Sequence, residues 1–230
     1  MICSGYYNYD KGYTPHIEGI ENFRGTLVHP QHWPKDLEID NKKIVVIGSG
    51  ATAMTIVPNV AQQASKVTML QRSPTYVVAR PDQDAIANFL RKWLPSKLAY
   101  SITRLKNTWL QSFMYKRMRA KPEEAKRNLI GMTRAALNKE FDVKKHFTPS
   151  YYPWDQRLCL LPNGDLYESI NQGRVEVITD IIDRVEETGI LVSSGDFIEA
   201  DIIVTATGLN MEFLGGAGVS VDGQLSLIHI

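Results

Sequence analysis

The chain has 230 residues, 43% of them hydrophobic and 22% charged, with a net charge of +1. That balance suits a soluble α/β protein of one or two domains and gives no global pull toward nucleic acid. No stretch has secretory-signal character or the apolar length to span a bilayer, so a reducing cytoplasm is the expected compartment. Two cysteines, Cys3 and Cys159, are too few for a disulfide framework and lack the C-x-x-C spacing of disulfide reductases. No cluster of His, Cys or carboxylate has metal-ligand spacing, and no G-x-S-x-G elbow occurs.

Taken in chain order, the first segment of note is FRGTLVHPQHWP. It sets Phe23, Gly25, His29, Trp33 and Pro34 in the pattern F-x-G-x-x-x-H-x-x-x-W-P. Singly, Phe23 and Trp33 read as core aromatics and His29 as a hydrogen-bonded loop histidine. Next, KIVVIGSGATA predicts a strand over Ile44–Ile47, a tight turn, and a helix running to about Ala64, followed by a strand over Val67–Leu70. Gly48 permits the turn, Gly50 leaves room for a pyrophosphate at the helix N-terminus, and Ala53 lets the helix pack close to the strand. The candidate cofactor contacts are Gly48, Ser49, Gly50, Ala51, Thr52 and Ala53.

An NAD site usually places a carboxylate at the tip of the second strand to hold the ribose hydroxyls. Here the tip reads Gln71-Arg72-Ser73-Pro74, with no acid. A guanidinium offers a phosphate two parallel donors and Ser73 adds a third, so NADP is the expected cofactor. The plainer reading of Arg72 is a solvated strand end. From Asp82 to about Lys145, apolar residues such as Phe89, Trp93, Leu98, Ile102, Leu105, Trp109 and Phe113 recur at three- and four-residue intervals, interrupted by Pro95. Amphipathic helices are predicted, with a polar face rich in Lys and Arg. The favoured reading is a solvated face over an apolar core; contact with an anionic membrane surface or a partner is the less favoured one, and a further reading is that some of these apolar residues cover the remaining domain in the intact enzyme. Strands are then predicted over Val175–Ile178, Gly189–Val192 and Ala200–Val204, with turns at Asn163-Gly164 and Ser194-Gly195-Asp196.

The F-x-G-x-x-x-H-x-x-x-W-P segment together with the glycine loop resembles the class B flavin monooxygenases, Baeyer-Villiger monooxygenases in particular. Related N-hydroxylating and flavin-containing members usually carry Tyr or another residue where Trp33 stands. The resemblance implies that CSGYY, Cys3 to Tyr7, is the strand and glycine turn closing the first half of an FAD domain. It implies that TATGL is the matching turn back into that domain, with Thr207 and Gly208 near the cofactors. SYYPWDQRLCLLPNGDLYESI, Ser150 to Ile170, resembles the region of the family's active-site arginine, which makes Arg157 the candidate catalytic residue. In such enzymes a C4a-peroxyflavin attacks the substrate, and a permanently charged guanidinium stabilises the anionic steps. Read without the resemblance, Arg157 is a surface residue paired with Asp155 or Asp165. Many members have Lys where this chain has Gln156, which shifts NADP selectivity onto Arg72. The PWDQR context resembles a subgroup that includes activators of thioamide prodrugs.

The expected architecture is thus a Rossmann-like NADP-binding domain with a helical insertion, flanked by partial FAD-domain segments. Residues 1–40 would end the first FAD segment, 41–81 and 149–200 would form the two halves of the NADP domain around the 82–148 insertion, and 201–224 would return to the FAD domain. The 16 glycines form only one strand–glycine–helix loop, so the chain reads as an internal fragment whose FAD site lies mostly elsewhere. Residues 225–230, LSLIHI, read as a non-native tail. The expected activity is oxygenation of a ketone, or of a sulfur or nitrogen compound, using O2, FAD and NADPH, with the fragment itself inactive. The alternative is a stand-alone NADP-binding sensor module without flavin chemistry.

Overall fold

The computed structural model describes residues 3, 5–218 and 220–225. Its strands are β1 (Tyr7–Gly12), β2 (Thr26–Val28), β3 (Lys43–Ile47), β4 (Lys66–Gln71), β5 (Tyr76–Arg80), β6 (Leu158–Pro162), β7 (Val175–Thr179), β8 (Ile182–Glu186), β9 (Gly189–Val192), β10 (Phe197–Glu199), β11 (Ile202–Thr205) and β12 (Leu209–Met211). The helices are α1 (Ala51–Val60), α2 (Ala85–Trp93), α3 (Ser96–Ala120), α4 (Pro122–Ala136), α5 (Val143–His146) and α6 (Asp165–Asn171). From Ser226 onward the expected tail lies outside the described residues.

A five-stranded parallel sheet, ordered β2-β11-β3-β4-β7, organises the molecule. β3 and β11 are apolar along their length because both faces are covered: Val45, Val46, Ile203 and Val204 are fully buried. Strand alternation sends Ile44, Val46, Met69 and Val204 to the face packed by α1, α6 and Phe147. It sends Val45, Leu70 and Ile203 to the opposite face, where the antiparallel meander β8-β9-β10 contributes Val185, Ile190 and Ile198. The strand–turn–helix–strand unit forms where the period predicted it. α1 ends at Val60 instead of about Ala64, because the backbone tightens there into short i→i+3 bonds, Gln62 N–H to Asn59 and Gln63 N–H to Val60.

Three sequence expectations change. Cys3 and Gly5 are not in a strand; the strand follows them as β1, which pairs antiparallel with β12, so the two segments expected to border an FAD domain pair with each other. Residues 82–148 are a crossover as much as an insertion, since β5 and β6, absent from the sequence reading, pair parallel and in register from Tyr76–Leu158 to Arg80–Pro162. The core under this segment is built by α4, through Ala125, Leu129 and Thr133. Most large apolar residues of α2 and α3 face outward: Trp93, Leu105 and Trp109 are 74%, 73% and 64% exposed.

Candidate nucleotide site and the segments that meet at it

β3, between β11 and β4, runs into Gly48 where the strand order reverses direction; ligands of open α/β sheets bind beyond the carboxyl ends of the strands at such a point. Gly48 has φ 142°, and a Cβ there would overlap the carbonyl oxygen of Ala206 at the end of β11. No other residue type fits both the conformation and the space. Gly50 caps α1 without a side-chain bond, and the first intrahelical bond is from Met54 N–H to Gly50 O, so the amides of Ala51, Thr52 and Ala53 have no helical acceptor. Ala53 is wholly buried, which seats the helix directly on the sheet.

Ser49 points inward. Its hydroxyl donates to Ser73 O (3.1 Å) and meets Thr75 Oγ1 (3.2 Å), stitching the glycine loop to the segment after β4. Its contribution to a ligand is therefore its backbone. Arg72 and Ser73 are exposed at the tip of β4. A residue the sequence reading passed over fixes that tip: buried Gln71 donates to His146 O (2.7 Å) and Thr179 Oγ1 (2.9 Å), and His146 Nδ1 meets the same threonine (2.8 Å). Burial, and then the Lys145 charge, lower the pKa of the His146 imidazole. No local signal marks Gln71, because its partners come from α5 and β7.

Arg157 is exposed, and its guanidinium Nη1 lies 3.7 Å from where a Cβ on Gly50 would stand. The two acids that could have claimed it are engaged elsewhere: Asp155 pairs with Arg119 and accepts from Tyr152 N–H, and Asp165 accepts from Leu166 N–H. Among the described residues neither Arg72 nor Arg157 forms an ion pair. Two tyrosines hold the Arg157 loop on β5. Tyr76 donates to Tyr151 O (2.6 Å), Tyr151 donates to Arg157 O (2.9 Å), and their rings meet edge to face at 5.3 Å. Burial pushes the Tyr76 phenol up to about 12, so it remains a donor throughout the physiological range.

Of the fingerprint residues, His29 reaches the β1–β12 crossing. His29 Nδ1 accepts from Gln31 N–H (3.2 Å), which leaves Nε2 to donate to Gly208 O (3.0 Å). That carbonyl also accepts from Tyr13 N–H, and Thr207 Oγ1 donates to Tyr13 O (2.6 Å). Thr207 and Gly208 are thus tied to the end of β1. The His29 ring occupies the space a Cβ on Gly12 would need, and Gln31 and His32 donate to backbone carbonyls of Asn8, Tyr9 and Asp10. The contacts of His29 with Gly12, and of Gln31 and His32 with the carbonyls of β1, were not legible, since only the folded chain brings β1 beside them. Phe23 packs on the meander-side core and Trp33 on the α1-side core, while Gly25 lies between the Phe23 ring and Asp201 O. Pro34, exposed, accepts from Leu37 N–H to close a turn.

Two surface hollows of about 650 Å³ each lie near the amino ends of the strands, lined by residues such as Lys43, Lys66 and Glu176 or Arg24 and Asp201. They do not reach the glycine loop, and the strand geometry favours the loop as the ligand site.

A family described as flavin-binding monooxygenase-like matches residues 1–223. The chain is 53% identical over 225 residues to the FAD-containing monooxygenase EthA of Mycobacterium tuberculosis, covering 97% of this chain and 46% of EthA. It is 46% identical over 223 residues to the probable FAD-binding monooxygenase AlmA of Acinetobacter baylyi, covering 96% and 45%. The chain therefore spans less than half the length of these relatives. In fold it resembles an oxidized steroid monooxygenase bound to NADP (TM-score 0.68, 23% identity, 90% of this chain and 45% of that one). An open cyclohexanone monooxygenase is similar (TM-score 0.69, 20% identity, 95% and 50%). These likenesses agree with an α/β fold of the two-dinucleotide flavoprotein kind. With the match running through the glycine loop, the fingerprint and the β1–β12 crossing, this chain belongs to the flavin-binding monooxygenase-like family.

Proposed function

We propose that this chain supplies the NADP(H)-binding part of an FAD- and NADPH-dependent monooxygenase that inserts one oxygen atom from O2 into a ketone or oxygenates a sulfur or nitrogen compound. The observation that carries the proposal is the approach of an acid-free Arg157 to Gly50, which puts a permanent cation over a helix N-terminus already suited to anions. The NADP group fits the residues present: the Ala51–Ala53 amides would take the pyrophosphate, Gly50 leaves it room, and Arg72 with Ser73 would take the 2′-phosphate. Bound NADPH supplies hydride. Arg157 would hold anionic charge at the reacting end, and because a guanidinium does not deprotonate it does so without moving a proton. His29 would keep the β1–β12 crossing, and so the neighbouring cofactor domain, in register with the loop.

FAD does not fit this chain by itself. Among the described residues one strand-to-helix loop, that of Gly48 and Gly50, carries the G-x-G form of a dinucleotide site, so flavin binding would rest on sequence beyond it. A stand-alone NADP module shares the glycine loop, but membership of an oxygenase family favours the monooxygenase. The test is Arg157→Ala in a chain extended with an FAD-binding segment, for instance that of EthA. Product formation should fall by at least about 100-fold, the scale of a lost oxyanion-type donor, while NADPH still reduces the flavin. Oxygenation that survives the substitution would remove Arg157 from the chemistry.

A further inference from the structure

The α2–α3 hairpin is left over from the site. Its helices run antiparallel, since Asp84 at the start of α2 holds Lys106 and Asn107 near the middle of α3. On α2, Ile86, Phe89 and Trp93 form one exposed stripe. On α3, Leu98, Ile102, Leu105, Trp109 and Phe113 form another, with Trp109 stacked on Phe113 at 5.4 Å. At 3.6 residues per turn each stripe sits roughly 100° from the buried alanine of its helix, Ala87 or Ala99, in the same rotational sense. α2 packs on α3, and Lys106, which holds Asp84, lies on the Ala99 side of α3, so the two buried alanines face each other; from facing alanines on antiparallel helices, equal sense puts both stripes on one side of the hairpin.

The charge of this element decides what covers that side. Residues 85–120 hold eight of the chain's 26 Lys and Arg and none of its 25 Asp and Glu. Lys106 pairs with Asp84, the cap of α2, and Arg117 and Arg119 pair with acids beyond α3, while Arg91, Lys92, Lys97, Arg104 and Lys116 have no ion pair among the described residues. A second copy docking through this face would bring two such cationic elements together. An anionic lipid surface would instead take the aromatic stripe among its acyl boundary and the flanking amines at its headgroups. No helix among the described residues is long and apolar enough to cross a membrane, so the contact is with the surface.

We propose that the exposed aromatic face of the α2–α3 hairpin, rimmed by unpaired cations, docks the protein on anionic lipid bilayers. The reading is independent of the oxygenase chemistry. In vesicle co-sedimentation, the 230-residue chain should bind phosphatidylglycerol-containing vesicles at least about 10-fold more tightly than pure phosphatidylcholine ones, since each basic residue near the surface adds attraction. Raising salt should weaken the binding, and tryptophan emission should shift to the blue as Trp93 and Trp109 enter the interface. The double variant Leu105→Gln, Trp109→Gln, at positions that support no core, should keep its circular dichroism spectrum and lose most binding. Lys97→Gln with Arg104→Gln should lose the preference for anionic lipid. Equal binding to both vesicle types, binding unchanged in the double variant, or no binding at all would overturn the proposal. A lipid-free dimer that the double variant dissolves would overturn it in favour of self-association.

Discussion

A single added methyl separates the roles of Gly48 and Gly50. At Gly48 it would meet the Ala206 carbonyl in a conformation that other residues rarely adopt, so Gly48→Ala should cost about 1–3 kcal/mol of stability in thermal or denaturant unfolding. At Gly50 the backbone is in an ordinary extended conformation and the nearest atom to a new Cβ is Arg157 Nη1 at 3.7 Å. Gly50→Ala should therefore unfold like the parent chain while binding NADP⁺ at least about 10-fold more weakly, because the methyl fills the approach to the α1 amides. The glycines of the turn were legible in the sequence because their geometry depends on local spacing, whereas the role of Arg72 is a proposal that its exposed place at the tip of β4 leaves open to test. Gln71, Gly12 and Gln31 were not legible, because each is defined by a partner that only folding brings near.

At the level of elements, the β3–α1–β4 unit was readable from its apolar run, its glycines and its helical period. The β5–β6 pair was not, since a parallel partner reached across the whole helical segment leaves no trace in either strand. For α2 and α3 the helices were legible but not their exposure: an apolar stripe looks the same whether a core or a partner covers it. The hairpin itself depends on Asp84, which caps α2 through Ala87 N–H (3.0 Å) and pairs with Lys106. These bonds, the Lys106 one first, hold the Asp84 carboxyl down at about 2, below its ordinary 3.8. A depressed carboxylate stabilises the fold above its unfolded value and loses that effect as pH falls through its folded one. Hairpin helicity followed by circular dichroism should be steady above about pH 4 and decline toward pH 2. Asp84→Asn, which keeps a capping oxygen without the charge, should show a smaller decline over that window; an identical acid profile would remove Asp84 as the cause.

For the molecule as a whole, the glycine turn and helix N-terminus at the sheet's switch point form the proposed nucleotide cradle, and His29 bonds the end of the β1–β12 pair through Gly208. The central claim is that this cradle is an NADP site whose selectivity rests on Arg72. It is tested most directly by titrating the 230-residue chain with NADP⁺ and with NAD⁺, before and after Arg72→Ala. The parent chain should bind NADP⁺ about 10- to 100-fold more tightly than NAD⁺, the scale of a charge-assisted pair of hydrogen bonds. The substitution should abolish that preference by weakening NADP⁺ alone. Equal affinity for the two nucleotides in the parent chain, or an equal loss of both in the variant, would contradict the account.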